Sequence, residues 1–326
     1  MPSVWFSRKN QGGLSKSERL AKENAALYRS ERAIAAFERG QLPEYVEARA
    51  RKQVQHELPW TSNLSVAEWA LLARYGLRPL GQVMGATVYH QAEWKMVLGR
   101  QNRYAGGWNT GFNGMYVNLY SGSCFLNELE QGMYEARWLA LQRLRAEAAL
   151  LGAHAVVGVK VKLVPGTVDS SLEMTAMGTA ITLDLPSVDE PLLCTVSAQD
   201  FVRLVHAGSI PVGLALGVGI YYQVSQWNDV WQSGSYSNQE MYSYTDAVYQ
   251  ARHRAVQEMR RHAAESGGNG VLAHETGLRV EEVEVEYGEG DIRLNHVVEF
   301  FAMGTAISHR KTHLDERPQS VVSLNT

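Results

Sequence analysis

The chain repeats itself, and that fact limits its fold more than any other. Ser65–Gln91 lies over Ser197–Gln223 with eight identities in 27 positions. The pairs include Gly76/Gly208, Pro79/Pro211, Gly81/Gly213, Gly85/Gly217 and Tyr89/Tyr221. Glycine and proline matches weigh most, because they fix backbone geometry. Tyr134–Leu163 lies over Tyr249–Leu278 with eleven identities in 30. The hexapeptide AMGTAI stands at Ala176–Ile181 and again at Ala302–Ile307. Three blocks recur in one order, so a single structural unit occurs twice.

Each unit opens with a short helix. Ser65 or Ser197 suits its N-cap, with Glu68 or Asp200 three residues on, and Gly76 or Gly208 suits its C′ position. A strand follows, over Leu80–Gln91 or Val212–Val224. The main helix comes next. Its apolar stripe in the first copy is Trp138, Leu141, Leu144, Ala148 and Leu151; in the second it is His253, Val256, Met259 and Ala263. Gly152 and Gly267 end these helices. A Val- and Leu-rich strand, a turn (Pro165-Gly166, or Tyr287–Asp291) and a last strand ending in AMGTAI complete the unit. The expected class is α+β: tandem β-α-β-β units with antiparallel sheets behind an N-terminal helical arm. The expected divisions are 1–60 (arm), 61–188 (first repeat), 189–309 (second repeat) and 310–326 (flexible tail). The arm, Ser15–Arg39 and Glu44–Gln53, balances basic with acidic residues. It is expected to pack on the body or on a neighbouring subunit rather than on nucleic acid.

Charge and cysteine content narrow the class further. A net charge of −3 gives no basic field for nucleic acid. Cys124 and Cys194 are the two cysteines, which excludes a disulfide scaffold and any CxxC centre. Met1–Gly13 is polar with no apolar core behind it, so the expected compartment is the cytoplasm. Ala207–Asn228 carries no charge, but it contains Pro211 and four glycines, and its counterpart in the first copy carries Arg78, Gln82 and His90. A membrane span is not expected there.

At the second and third blocks the chain resembles the YbjQ family, the "putative heavy-metal-binding" domain. Copy one reads Tyr134-Glu135-Ala136-Arg137, Leu151-Gly152-Ala153-His154-Ala155-Val156-Val157-Gly158 and Met177-Gly178-Thr179-Ala180. Copy two keeps Ala251-Arg252, Gly267 to Leu272 and Met303-Gly304-Thr305-Ala306. The strand Gly81–Tyr89 is similar to the family's opening strand. The resemblance implies a dodecin-like fold and a tandem-domain oligomer, a ring of five chains presenting ten units. The family's R-D-x-x-G-G-R loop is missing. Glu93–Gly132, rich in Gly, Asn, Trp and Tyr, replaces it in copy one, and Ser225–Thr245 in copy two.

Heavy metals want three or four thiolate or imidazole ligands together. Ten histidines and two cysteines show no HxH, HxxxH or CxxC spacing on one element. His154, opposite Asn269 in copy two, reads as a left-handed cap residue rather than a ligand. His253 reads as a core or interface histidine. His274-Glu275, with His296 and Glu299, makes a cation site only if strand alternation puts them on one face. The alternative is a solvated acidic hairpin with Glu281, Glu282, Glu284, Glu286, Glu289 and Asp291. Arg137 and Arg252 hold matching helix positions; they either pair with a carboxylate of a neighbouring unit at the ring contact or stand exposed. Trp108–Tyr120, with Trp94 and Tyr104, is either a binding loop or a packing hairpin.

GxSxG, GxxxxGK[ST], HExxH and a helix-opening GxGxxG are all absent. The expected function is therefore a non-catalytic, ring-forming cytoplasmic oligomer. It would bind a small ligand, metal ion or partner at subunit interfaces, with no catalytic, cofactor or metal residue assigned. Two competing classes are an enzyme with an interface active site and a scaffold that recruits a partner through its N-terminal helix.

Overall fold

The elements run, in chain order, α1 (Lys16–Glu38), α2 (Glu44–Val54), α3 (Val66–Arg74), β1 (Arg78–His90), β2 (Cys124–Phe125), α4 (Asn127–Leu150), β3 (Ala155–Pro165), β4 (Ser171–Thr182), β5 (Leu192–Leu193), α5 (Ala198–His206), β6 (Ser209–Gln223), α6 (Tyr242–Glu265), β7 (Gly270–Glu286) and β8 (Ile292–His309). This computed structural model describes residues 16–90, 122–165, 171–186, 188–226, 229, 238–286 and 292–309. The stretch 93–121 with its aromatic residues, Pro165-Gly166 as a turn, 287–291 with Glu289 and Asp291, the His274 side chain and the tail 310–326 lie outside the described residues.

Local chemistry sets the helix ends as the sequence predicts. The Ser65 hydroxyl accepts from the Glu68 N–H at 3.3 Å, and the Glu68 carboxylate accepts from the Ser65 N–H at 2.8 Å. The Asp200 N–H donates to the Ser197 hydroxyl at 3.1 Å. Gly76 and Gly208 close these helices at φ +72° and +73°, where a side chain would be strained. His154 corrects the expectation of a left-handed cap, because the left-handed residue is Gly152, at φ +73°. The His154 ring instead ties the end of β4: its Nδ1 meets Thr182 Oγ1 at 2.9 Å and its Nε2 the Pro186 carbonyl at 2.7 Å. Asn269 does the same at the end of β8, exchanging two hydrogen bonds with the His309 backbone.

Among the described residues two four-stranded sheets result, ordered β1-β4-β3-β5 and β2-β6-β8-β7. Each carries one long helix on one face. The helix sits close because glycine faces it: a Cβ on Gly85 would run into the Ala140 carbonyl, and one on Gly217 into the Ala255 carbonyl. On α6 the buried row is Ala247, Ala251, Ala255, Met259 and Ala263, which corrects the stripe expected through His253. That residue lies two positions from Ala251 and Ala255, about 200° around the helix, and is exposed. Small alanines, not the larger residues, face the glycines of β6. Among the described residues no helix is long and apolar enough to cross a membrane. Within Ala207–Asn228, Ser209–Gln223 forms the strand β6.

The repeats interlock. β2 follows repeat one's first strand in sequence but pairs with β6 of the second sheet, Cys124 opposite Tyr222 and Phe125 opposite Tyr221. β5 stands at the start of repeat two but lies on β3 of the first sheet, Ala155 opposite Leu192. One continuous core runs from Val83, Met133 and Leu144 of repeat one to Leu216, Ile220 and Met303 of repeat two. The arm packs on the body through α2. Ala50 is buried, Arg49 pairs with Glu147 of α4, and the Gln53 amide donates to the Leu80 carbonyl at 2.7 Å.

Candidate functional site at the seam between the repeats

Where the repeats meet, α4 of repeat one lies against the outer face and edge of repeat two's sheet. Arg137 projects from α4 into this seam and is buried. Its Nη2 meets Glu299 Oε1 of β8 at 2.5 Å, its Nη1 donates to the Met133 carbonyl at 3.2 Å, and its guanidinium lies 5.0 Å from the centre of the Phe301 ring. Arg279 supports the second Glu299 oxygen at 3.7 Å. Two charges this far from water hold together only because each finds partners.

A second buried carboxylate stands one side of it. Glu130, in the first turns of α4, accepts the Ile220 N–H at 2.8 Å and pairs with Arg254 Nε of α6 at 3.2 Å. Burial pushes its carboxyl above the usual range, and the Ile220 hydrogen bond and Arg254 oppose that rise. The Ile220 N–H lies on the edge of β6 beyond β2, so Glu130 satisfies a donor the sheet leaves open. A third contact closes the other side. His262 of α6 accepts the Leu216 N–H at Nδ1, 3.2 Å away, and the Tyr134 hydroxyl lies 3.4 Å from the same nitrogen. Trp138 packs edge-on against the ring at 5.1 Å. Burial lowers the His262 pKa, consistent with a neutral imidazole that accepts. At the far end, Thr195 donates its N–H to Thr305 Oγ1 at 2.8 Å.

The recess in this seam, lined by Leu129, Met133, Ile220, Arg279, Glu281, Val297 and Glu299, is about 10 Å³. That is room for one water, not for a metabolite. The chemistry present is adhesion: paired charges, filled backbone donors and apolar contact.

The family model described as "putative heavy-metal-binding", YbjQ, matches residues 78–184 and 235–310, the two sheets with their helices. The chain belongs to the YbjQ family. This YbjQ protein is also 31% identical over 287 residues to the encapsulin nanocompartment protein Rv1762c of Mycobacterium tuberculosis (strain ATCC 25618 / H37Rv), covering 85% of this chain and 97% of that protein.

The family's description calls for soft-metal ligands, and the described residues do not supply a set. No group of three or more His, Cys, Asp or Glu among them could hold a metal ion. Cys194 is buried in an apolar cluster that pushes its thiol up to about 12, and Cys124 stands half-buried on β2, its thiol also raised by burial. Both ring nitrogens of His154 are engaged, and Nδ1 of His262 is taken. The hairpin site fails on strand alternation. His296 pairs in register with Glu282, and Glu299 with Arg279, three residues along, so they face opposite sides of the sheet. Glu275 lies on the Glu299 side, where its Oε2 is 3.5 Å from the Val161 N–H. His296 turns toward α6, edge-on to Tyr244 at 4.4 Å.

Arg137 therefore meets a carboxylate of the other repeat of its own chain, whereas the sequence reading placed such a pair at the ring contact, and Arg252 is exposed. Sequence reasoning missed Glu130, Arg254 and the Tyr134–His262 contact. Tyr134 opened the second repeat block. The others fall where the two copies differ, Thr245 opposite Glu130 and Leu139 opposite Arg254.

Proposed function

We propose that this YbjQ protein is a non-catalytic, ring-forming oligomer whose interfaces bind protein partners, and that it works in the cytoplasm with an encapsulin nanocompartment. The observation that carries this reading is the 31% identity over 97% of a relative that is named as an encapsulin nanocompartment protein. The match reaches well beyond the two family segments, so it concerns the whole tandem architecture and not one module. The seam supports the reading from the physical side: its buried polar groups serve to join units, and its recess holds no substrate-sized space.

The test is purification of the full-length chain from its own host under mild lysis, followed by electron microscopy and mass spectrometry. The expected result is co-migration with closed shells whose subunit is an encapsulin. A chain that elutes free of shells overturns the nanocompartment assignment. A chain that is monomeric by light scattering overturns the ring.

A second reading, partner recruitment by the arm, has one observation in its favour. Leu27, Tyr28 and Ile34 of α1 are all exposed along a helix of 23 residues. Deleting residues 1–40 removes shell association under this reading while oligomer size is kept; unchanged association ends it.

A further inference from the structure

The seam joins two copies of one unit by two different surfaces. Repeat one contributes α4 and the strand β2 before it. Repeat two contributes the outer face and edge of its sheet. An interface of this kind is heterologous, and it leaves one surface of each type unused on every chain.

The unused surfaces are identified position by position. The outer face of sheet one matches the buried outer face of sheet two. Met84 is 46% exposed and its counterpart Leu216 0%; Val88 is 66% exposed and its counterpart Ile220 1%. Glu173 pairs in register with Val88, as Glu299 does with Ile220. On the other side, Arg252 of α6 is the counterpart of Arg137, and it is exposed. Among the described residues neither Arg252 nor Glu173 has an ion pair. Leu278, the counterpart of partly buried Leu163, is also exposed. Both copies thus keep the arginine and the glutamate, yet only Arg137 and Glu299 meet within the chain. The edge tells the same story: among the described residues β1 borders its sheet with no strand on its outer side, where β6 carries β2.

We infer that a second copy of this chain docks head to tail, its Arg252 meeting Glu173 as Arg137 meets Glu299, with Leu278 packing over the Met84–Val88 face. Residues 239–240, exposed just ahead of α6, take the place of β2 along the Tyr89 end of β1. The junction departs from the internal seam at one point. Glu147 stands where His262 stands in repeat two, and Arg49 of α2 already pairs with it, so the arm lines the new junction beside the helix. The inference rests on the oligomeric reading proposed above and specifies its interface.

The test measures the mass of the full-length protein by sedimentation across a concentration series for wild type, Arg252→Glu, Glu173→Arg and the double exchange. Wild type is expected to assemble. Each single exchange is expected to weaken assembly by about a hundredfold or more, the size expected for a broken buried pair. The double exchange is expected to restore most of it. Val88→Lys, which carries no part of the ion pair, should weaken assembly as well. Thermal melts at dilute concentration check that each protomer still folds. Assembly that is indifferent to the single exchanges, or a double exchange no better than either single one, overturns this interface and leaves the oligomer standing. Wild type that stays monomeric throughout overturns both.

Discussion

Arg137 is the residue on which the seam turns, because both its charge and that of Glu299 are out of water. Arg137→Met removes one charge and strands the other, relieved among the described residues only by Arg279 at 3.7 Å. The expected loss is about 3 kcal/mol, at the low end for a broken buried pair. Arg137→Met with Glu299→Leu should recover most of it, since apolar replacements of both partners often match such a pair. Urea denaturation measures both. His262 adds a dependence on pH. Burial holds its pKa below the ordinary 6.5, so the folded state binds fewer protons than the unfolded chain in mild acid. Its contribution is complete above about pH 6.5 and is lost as pH falls through the lowered folded value. A protonated Nδ1 also turns a donor toward the Leu216 N–H. His296, lowered by burial too, acts in the same direction. Glu130, raised by burial, opposes this in part, but with two histidines against one carboxyl, stability should be lower at pH 5 than at pH 8. His262→Gln should shrink that difference, and an equal difference in wild type and variant would discard the role assigned to the ring.

Helix and strand are matched by glycine in each repeat, Gly85 in the first and Gly217 with Gly219 in the second. Gly217→Ala puts a methyl group into the Ala255 carbonyl, and Gly85→Ala does the same at Ala140. Each should cost about 1–3 kcal/mol as the helix is pushed off its sheet. Gly213→Ala, whose new methyl would find its nearest neighbour at 3.7 Å, should lie within about 0.5 kcal/mol of wild type. Thermal melts of the three variants separate close packing from a general effect of glycine. At this scale the sequence was most legible. Capping residues, C′ glycines and strand alternation act within a few residues, so local pattern reveals them. The helix face was harder to read. His253 falls at a plausible spacing, but the alanine row beside it is what fits against Gly217 and Gly219. The seam was harder still. Glu130 and Arg254 are 124 residues apart and differ between the copies, so repetition, the strongest signal in the chain, gave no pointer to them. Strand exchange is similarly hidden, because two-residue strands such as β2 and β5 have no period to detect.

At the scale of the molecule, the two units cannot be separated along the sequence where the repeats divide. A chain of residues 61–188 would keep β1, α4, β3 and β4. It would lose β5 from the edge of β3, where Cys194 and Val196 also hold the backbone of Val156 and Gly158. It would expose Leu126 and Met133, now buried against repeat two, and β2 would have no β6 to pair with. Arg137 would face solvent with no Glu299. A unit of this size is already marginal in the surface it buries, and here part of its core belongs to the other copy. Residues 61–188 alone are therefore expected to show helical far-ultraviolet dichroism without a cooperative thermal transition, and to bind a hydrophobic dye. Adding residues 189–309 as a separate chain should restore a cooperative melt, because the seam's contacts are side-chain and strand-edge contacts that do not need a covalent link. A sharp, reversible transition in the isolated first repeat would mean that the seam merely joins two self-sufficient units. The same physics governs the chain's unused surfaces. If a repeat needs a neighbour on one side to complete its core, the exposed Met84–Val88 face is the place where the whole molecule needs one as well.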